Sequence, residues 1–194
     1  GIRRANLYVA WDFTVASAES VTGRALTIRD DAFERLGDNN LADRIIDGDA
    51  PGYSIQSATD PSGNVRIRIE GKLEDVPCYI NSPGCEPGGT FEFDANNELT
   101  WDPASTGDVP FRCDVPETVV TSNPGSITPS QTGTYGHGLL GSYTQVSSTG
   151  PNRVGQDANT TWCAVDWAGF SDRDLSSVGA SLADMSNFPK MADR

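Results

Sequence analysis

The 194-residue sequence predicts an α+β fold, in which a β-rich N-terminal region with one helix precedes a shorter region that mixes strands and helices. Two observations support this prediction. Short apolar runs separated by turn residues recur through residues 1–115, as is typical of strands joined by tight connections. The composition then changes after residues 116–131, a proline-containing segment that we interpret as a linker or crossing loop. Residues 132–194 form the second region.

The first region is predicted to open with a strand and a helix. Residues 6–16 hold β-branched and aromatic side chains in partial alternation, which favours a strand. A helix should follow, with Ser20 or Thr22 as its N-cap and Gly37 at its end. The apolar side of this helix would be formed by Leu26, Ile28, Phe33 and Leu36.

Two hairpins and one short strand complete the first region. Residues 65–73 alternate apolar with charged side chains, and the turn-forming cluster 60–64 separates them from residues 53–59. This pattern predicts a half-buried antiparallel hairpin. The same reasoning predicts a smaller hairpin from residues 91–93 and 99–101, and a further strand over 109–113.

The second region contains one clear strand and one clear helix. Residues 160–166 form a short apolar run that is rich in β-branched residues and ends in an acid, which is typical of a buried parallel strand. Residues 175–185 are predicted to be helical because Leu175, Val178, Leu182 and Met185 follow helical spacing. Residues 130–134 are polar and are not predicted as a strand.

The charge balance excludes several classes of partner. Lys and Arg number 14 against 27 Asp and Glu, which gives a formal net charge of −13. Nucleic acids and anionic membranes both bind basic protein surfaces, so neither is expected as a partner of this acidic chain. No apolar run approaches the roughly 20 residues of a membrane-spanning helix.

The four cysteines favour disulfides over a metal site. Cys78 and Cys85 flank a turn-rich hexapeptide and could close a small disulfide loop, which would place the chain in an oxidising compartment outside the cytoplasm. None of the cysteines forms a CxxC pair of the kind found in zinc ribbons. With Cys113 and Cys163 included, three pairings are possible, and the sequence does not choose among them.

The segment Tyr135-Gly-His-Gly-Leu-Leu-Gly-Ser142 carries the strongest functional signal. Three glycines within six residues indicate either positive φ angles or a close approach to the backbone. Backbone N–H groups in such a segment can point at a developing negative charge, as in an oxyanion hole. The same residues satisfy G-x-G-x-x-G, a dinucleotide-binding pattern, but residues 147–152 are expected to interrupt the helix that this pattern requires.

The His137-Gly138-Leu139 step resembles the oxyanion loop of α/β-hydrolases. Asp166-Trp-Ala-Gly-Phe-Ser171, directly after the predicted buried strand, resembles a second loop of that family. Asp166, Gly169 and Ser171 match the Asp, Gly and Ser of the family's loop pattern. Together with Ser186-Asn-Phe-Pro189, these segments look like secreted bacterial esterases and lipases that place a β-rich region ahead of the hydrolase core. The second region would then be the incomplete start of an α/β-hydrolase sheet.

The resemblance implies acyl transfer through a serine, acting on a small-molecule or lipid ester without metal or organic cofactor. Leu139 would supply an oxyanion N–H, Gly138 would permit the turn, and His137 would orient the loop. The chain contains no G-x-S-x-G, and His137 is its only histidine, so neither nucleophile nor catalytic base is present. We therefore expect this chain to be an inactive fragment of a larger hydrolase, with both groups beyond Arg194.

Two alternatives remain open on the sequence alone. The chain could be a non-enzymatic extracellular β-rich domain for binding or adhesion, in which the glycine-rich segment is only a turn. It could also belong to a dinucleotide-binding enzyme, for which Asp157 lies at a suitable distance after the glycines.

Overall fold

A computed structural model describes residues 9, 15–45, 47–86, 88–119, 128–169 and 171–187. The chain divides into two compact units, residues 1–49 and residues 50–194. None of the described helices is long and apolar enough to cross a bilayer. The architecture is mixed α and β, with a mostly antiparallel sheet and three α-helices among the described residues.

The first unit contains the predicted helix, α1 (Ala18–Arg35), but with an earlier start. Ser20 and Thr22 lie inside the helix rather than at its N-cap, and the Thr22 hydroxyl donates to the Ala18 carbonyl one turn earlier (2.8 Å). Gly37 follows the end of the helix with a φ of 94°, as a C-terminal glycine commonly does. The strand predicted over residues 6–16 lies almost entirely outside the described residues.

The second unit is built on a five-stranded sheet and a small hairpin. The sheet strands lie in the order β1-β2-β5-β7-β6, with β6 parallel to β7 and the other pairs antiparallel. The strands are β1 (Gly52–Thr59), β2 (Val65–Pro77), β5 (Thr106–Pro116), β6 (Gln131–Thr134) and β7 (Thr160–Val165). The hairpin pairs β3 (Glu92–Phe93) with β4 (Leu99–Thr100). Two helices follow in the chain, α2 (Thr149–Ala158) and α3 (Leu175–Ala183).

Both predicted hairpins are confirmed. β1 and β2 pair around the turn at residues 60–64, in which Ser62 and Gly63 take positive φ angles. The β3–β4 turn is fixed by Asp94, whose carboxylate accepts the backbone N–H groups of Asn96 and Glu98. Backbone bonds of this kind favour the charged carboxylate, so the pKa of Asp94 lies below its usual value.

A parallel β6–α2–β7 unit lies where the sequence predicted neither β6 nor α2. β6 consists of polar and small residues, and the side chains that pack on it come from β7. The Trp162 ring lies so close to Gly133 that an added Cβ would be 2.4 Å from it. The expectation that residues 147–152 interrupt a helix is wrong, since α2 begins at Thr149. Pro151 is tolerated there because the first N–H groups of a helix have no partner within it.

The sheet crosses the boundary predicted at residues 116–131. β5 from the predicted N-terminal region pairs with β7 from the second region, and the two strands are also joined by a disulfide between Cys113 and Cys163. The second disulfide links Cys78 to Cys85, as the sequence predicted. Residues on both sides of the boundary therefore share one sheet.

One face of the sheet carries a ladder of charged side chains. Arg68 pairs with Asp114, and Arg112 pairs with Glu70, in each case between β2 and β5. α2 packs on this face, where Gly155 allows the Trp162 ring to approach. The 3-10 helix Tyr143–Ser147, which precedes α2, also contacts this face, where Arg112 hydrogen-bonds Thr144 and Ser147.

Candidate functional site

Two loops meet at the carboxyl ends of the parallel strands β6 and β7. The first loop, residues 135–148, contains the glycine-rich segment and leads into α2. The second loop, residues 166–174, contains Asp166, Gly169 and Ser171 and leads into α3. The carboxyl ends of parallel strands are the usual place for a ligand crevice in α/β proteins. The two segments that the sequence singled out separately are therefore neighbours.

Hydrogen bonds donated by main-chain N–H groups hold the two loops together. The Tyr143 N–H donates to Asp166 Oδ1 at 2.7 Å, and the Asp172 N–H donates to the Gly141 carbonyl at 2.7 Å. Gly141 and Ser171 also form an isolated parallel bridge. The loop positions are thus fixed by one another as well as by the strands.

His137 is the third link between the loops, and it is buried, with 5% of its surface exposed. Its Nε2 accepts the Trp167 N–H at 3.0 Å, so that nitrogen carries no proton. The proton must then lie on Nδ1, which faces the Gly138 carbonyl at 2.8 Å and donates to it. Because both ring nitrogens are occupied, His137 is arranged as a structural group rather than as a general base.

The peptide between Gly138 and Leu139 is held in one orientation. Its carbonyl accepts the Nδ1 proton of His137 and also the Gly141 N–H at 2.9 Å. In a trans peptide the C=O and N–H groups point in opposite directions. The Leu139 N–H is therefore directed away from His137 and Gly141, and it has no hydrogen-bond partner among the described residues. The Leu139 residue is 66% exposed.

The glycines of this loop serve close packing more than unusual backbone angles. An added Cβ would lie 2.9 Å from the Trp167 ring at Gly136 and 2.4 Å from the Gln145 side chain at Gly141. At Gly138 the nearest atom would be at an ordinary 3.7 Å. The residue of this turn with a left-handed φ is Leu140 (55°) and not Gly138. A left-handed φ therefore does not explain why residue 138 is a glycine.

Gln145 contributes to the site and was not found from the sequence. Its Oε1 accepts the Gly138 N–H at 3.0 Å, which occupies the donor next to Leu139. Gln145 lies in a short 3-10 helix, Tyr143–Ser147, where no motif marks it. Its role depends on a turn geometry that local sequence patterns do not specify.

Replacing Gln145 with Ala should expose the Gly138 amide. We expect its hydrogen exchange to become at least about tenfold faster, since a net hydrogen bond is worth roughly 1 kcal/mol or more. The measurement is amide exchange by NMR. Gln145→Glu keeps an acceptor oxygen and serves as the control, for which protection should be retained. Equal exchange in wild type and Gln145→Ala would contradict the assignment.

The second loop is arranged by its own polar side chains. Ser171 and Asp174 are each 2% exposed, and the Ser171 backbone N–H and hydroxyl both donate to Asp174 Oδ2 at 3.1 Å. Gly169 has a φ of 78°, which favours glycine. Asp166 is committed to the Tyr143 N–H. These residues hold the loop, and the buried Ser171 hydroxyl is not placed as a nucleophile.

Arg112 anchors the first loop to the charged sheet face. Its Nη1 reaches the Thr144 carbonyl and the Ser147 hydroxyl at 3.4 and 3.3 Å, and its guanidinium lies 5.7 Å from the centre of the Tyr143 ring. The same guanidinium hydrogen-bonds Glu70, and this holds the pKa of the Glu70 carboxyl below its usual value. The loop is thereby tied to both β5 and β2.

The arrangement offers little to a metal or a dinucleotide. Among the described residues, no group of three or more His, Cys, Asp or Glu side chains could hold a metal ion. The Gly138 and Gly141 N–H groups are already used within the loop, and a 3-10 helix separates Gly141 from α2. In the dinucleotide fingerprint the glycines instead open the helix and face the pyrophosphate.

Comparison of the chain with protein-family models, with curated proteins and with solved structures finds no match.

Proposed function

We propose that the two loops form the oxyanion side of a serine ester hydrolase, with nucleophile and catalytic base supplied by polypeptide outside residues 1–194. The substrate would be a small-molecule or lipid ester, and the chemistry would be acyl transfer to serine and then to water. This chain would supply one N–H donor, from Leu139, and the scaffold that aims it. Neither metal nor organic cofactor is part of the proposal.

The orientation of the Leu139 N–H is the observation that carries the proposal. An oxyanion hole needs a donor that is fixed before the reaction and is not already used. The Gly138 carbonyl is anchored by two donors, the Gly138 N–H is taken by Gln145, and the Leu139 N–H is left unused in an exposed part of the loop. The strand–loop–helix context, β6 followed by this loop and α2, also agrees with the strand–helix loop that supplies such a donor in α/β-hydrolases.

The occupied nitrogens of His137 support placing the base elsewhere. A serine nucleophile needs a histidine with a free acceptor nitrogen, whereas both nitrogens of His137 are engaged. The two disulfides are compatible with secretion to an oxidising compartment, which is where we propose the protein acts.

The reading frame past Arg194 gives the first test. A G-x-S-x-G segment followed by an acid and then a histidine is the expected result. A stop codon directly after Arg194, with no G-x-S-x-G segment before Gly1, would overturn the proposal, because the protein would then lack the serine nucleophile. The extracellular binding domain would then be the better explanation.

Leu139→Pro in the protein that carries the serine should lower kcat for p-nitrophenyl butyrate by about 10²–10³-fold, since proline deletes one oxyanion donor. Leu139→Ala keeps the N–H and should stay within about threefold of wild type, because the side chain is exposed. Thermal unfolding of both variants checks that the fold is intact. Full activity in a folded Leu139→Pro protein would contradict the oxyanion assignment.

A further inference from the structure

The sheet face opposite the charged ladder is apolar. Directly paired residues share a face of a sheet, and the register pairs Tyr53 with Leu73, Phe111 with Val165 and Cys113 with Cys163. We call this surface the apolar sheet face and define it by Tyr53, Ile55, Leu73, Phe111, Val165 and the Cys113–Cys163 disulfide. None of these side chains carries a charge.

This face is open within the described part of residues 50–187. Tyr53 is 66% exposed and Ile55 is 50% exposed. An apolar groove of about 390 Å³ runs across the face from Tyr53 to Val165. Monomeric proteins rarely expose large contiguous apolar patches, and such patches usually mark interaction surfaces.

The apolar character of this face indicates that another structural element covers it. A mostly antiparallel sheet can leave one face in water, but that face is then normally polar, whereas this one is apolar. α2 packs on the charged face, and α3, the other helix described between residues 50 and 187, makes its main contacts with the short 3-10 turns that flank it rather than with the strands. The four strands β1, β2, β5 and β7 span about 14 Å between outer axes, which suits an α-helix about 10–12 Å in diameter.

The charge balance of residues 50–187 favours a cationic occupant. Every basic residue from 50 to 187 is already in an ion pair, whereas acidic residues outnumber the basic ones in the same range. A second copy of the chain would bring another formal charge of −13 and be repelled. We propose that the apolar sheet face docks an amphipathic α-helix of a partner polypeptide, with Leu-type residues on one side and Lys or Arg on the other.

NMR titration of the isotope-labelled chain tests this proposal. The probe is a synthetic peptide of about 18 residues made of Leu and Lys, with Leu at helical i, i+3, i+4, i+7 spacing. One control peptide has the same composition with Leu distributed around the helix, and another has Glu in place of Lys. We expect the probe to shift the amide signals of Tyr53, Ile55 and Val165 and to bind at least about tenfold more tightly than either control.

A matched pair of variants locates the binding. Ile55→Ser removes an apolar side chain from the face, whereas Val154→Ser removes one of similar exposure (52%) from α2. Ile55→Ser should weaken binding by about tenfold, as expected for losing a buried aliphatic group, and Val154→Ser should have no effect.

Four results would overturn the proposal. They are equal binding of either control peptide, equal weakening by Val154→Ser, no shift at the apolar sheet face, and a dimer in sedimentation that Ile55→Ser dissociates. The last result would assign the face to a second copy of the chain. None of these measurements depends on ester hydrolysis, so the proposed function stands or falls separately.

Discussion

Removing the Cys113–Cys163 disulfide with Cys113→Ala and Cys163→Ala should lower the free energy of unfolding by about 4 kcal/mol. The two cysteines are 50 residues apart in sequence, so the crosslink restricts a long loop in the unfolded chain. Cys78 and Cys85 are only 7 residues apart, and the same chain-entropy relation gives about 2.5 kcal/mol for removing that bridge. The long-range disulfide is therefore expected to matter more.

Denaturant unfolding of the two double variants measures this difference. The Cys78→Ala/Cys85→Ala protein is the control, because it also loses two sulfur atoms and one crosslink. A loss from the Cys113/Cys163 pair no larger than that of the control would contradict the expectation. The bridge also joins β5 to β7, the strand that continues into Asp166 and Trp167, so amide exchange at Trp167 should rise in the same variant.

The antiparallel part of the sheet could be predicted because its signal is local. Residues 65–73 alternate in polarity and lie next to a turn cluster, and the structure pairs them with β1 as expected. The small β3–β4 hairpin follows the same logic. In these elements each residue's own side chain decides which face it occupies.

The parallel unit escaped prediction because its stability comes from partners distant in sequence. β6 is four polar or small residues, and it is a strand because β7 offers a backbone edge and Trp162 packs on Gly133. The first turn of α2 contains Gly150 and Pro151, which are unfavourable in the middle of a helix but harmless at this position. Tertiary context overrides local propensity in both cases.

The sequence singled out both loops of the candidate site, but it did not predict the contacts between them. His137 and Asp166 were both singled out, and the structure shows that each contacts the other loop through a backbone N–H. Contacts of this kind depend on how strand ends align, which spacing along the chain does not reveal. The same limit applies to the Cys113–Cys163 pairing, one of several that the cysteine count allowed.

Arg68→Met should lower the free energy of unfolding by about 3–5 kcal/mol, the usual range for leaving a buried charge without its partner. Arg68 Nε and Nη2 bind the two carboxylate oxygens of Asp114 at 2.8 and 2.9 Å. The Asp114 side chain is 2% exposed, so water cannot replace the guanidinium. The same hydrogen bond raises the pKa of Arg68 above its usual value, which keeps the guanidinium charged.

Two further variants separate the buried charge from the loss of an arginine as such. Arg66→Met removes a nearby arginine whose side chain is 45% exposed and whose partner Asp60 is 50% exposed, so the cost should be below about 1 kcal/mol. Arg68→Met combined with Asp114→Leu removes both charges and should recover most of the loss, because no unpaired carboxylate remains. Chemical denaturation of wild type and of the three variants measures these changes in the free energy of unfolding. If Arg68→Met costs no more than Arg66→Met, then Asp114 is reached by water in solution, and the charged ladder does not stabilise the sheet through burial.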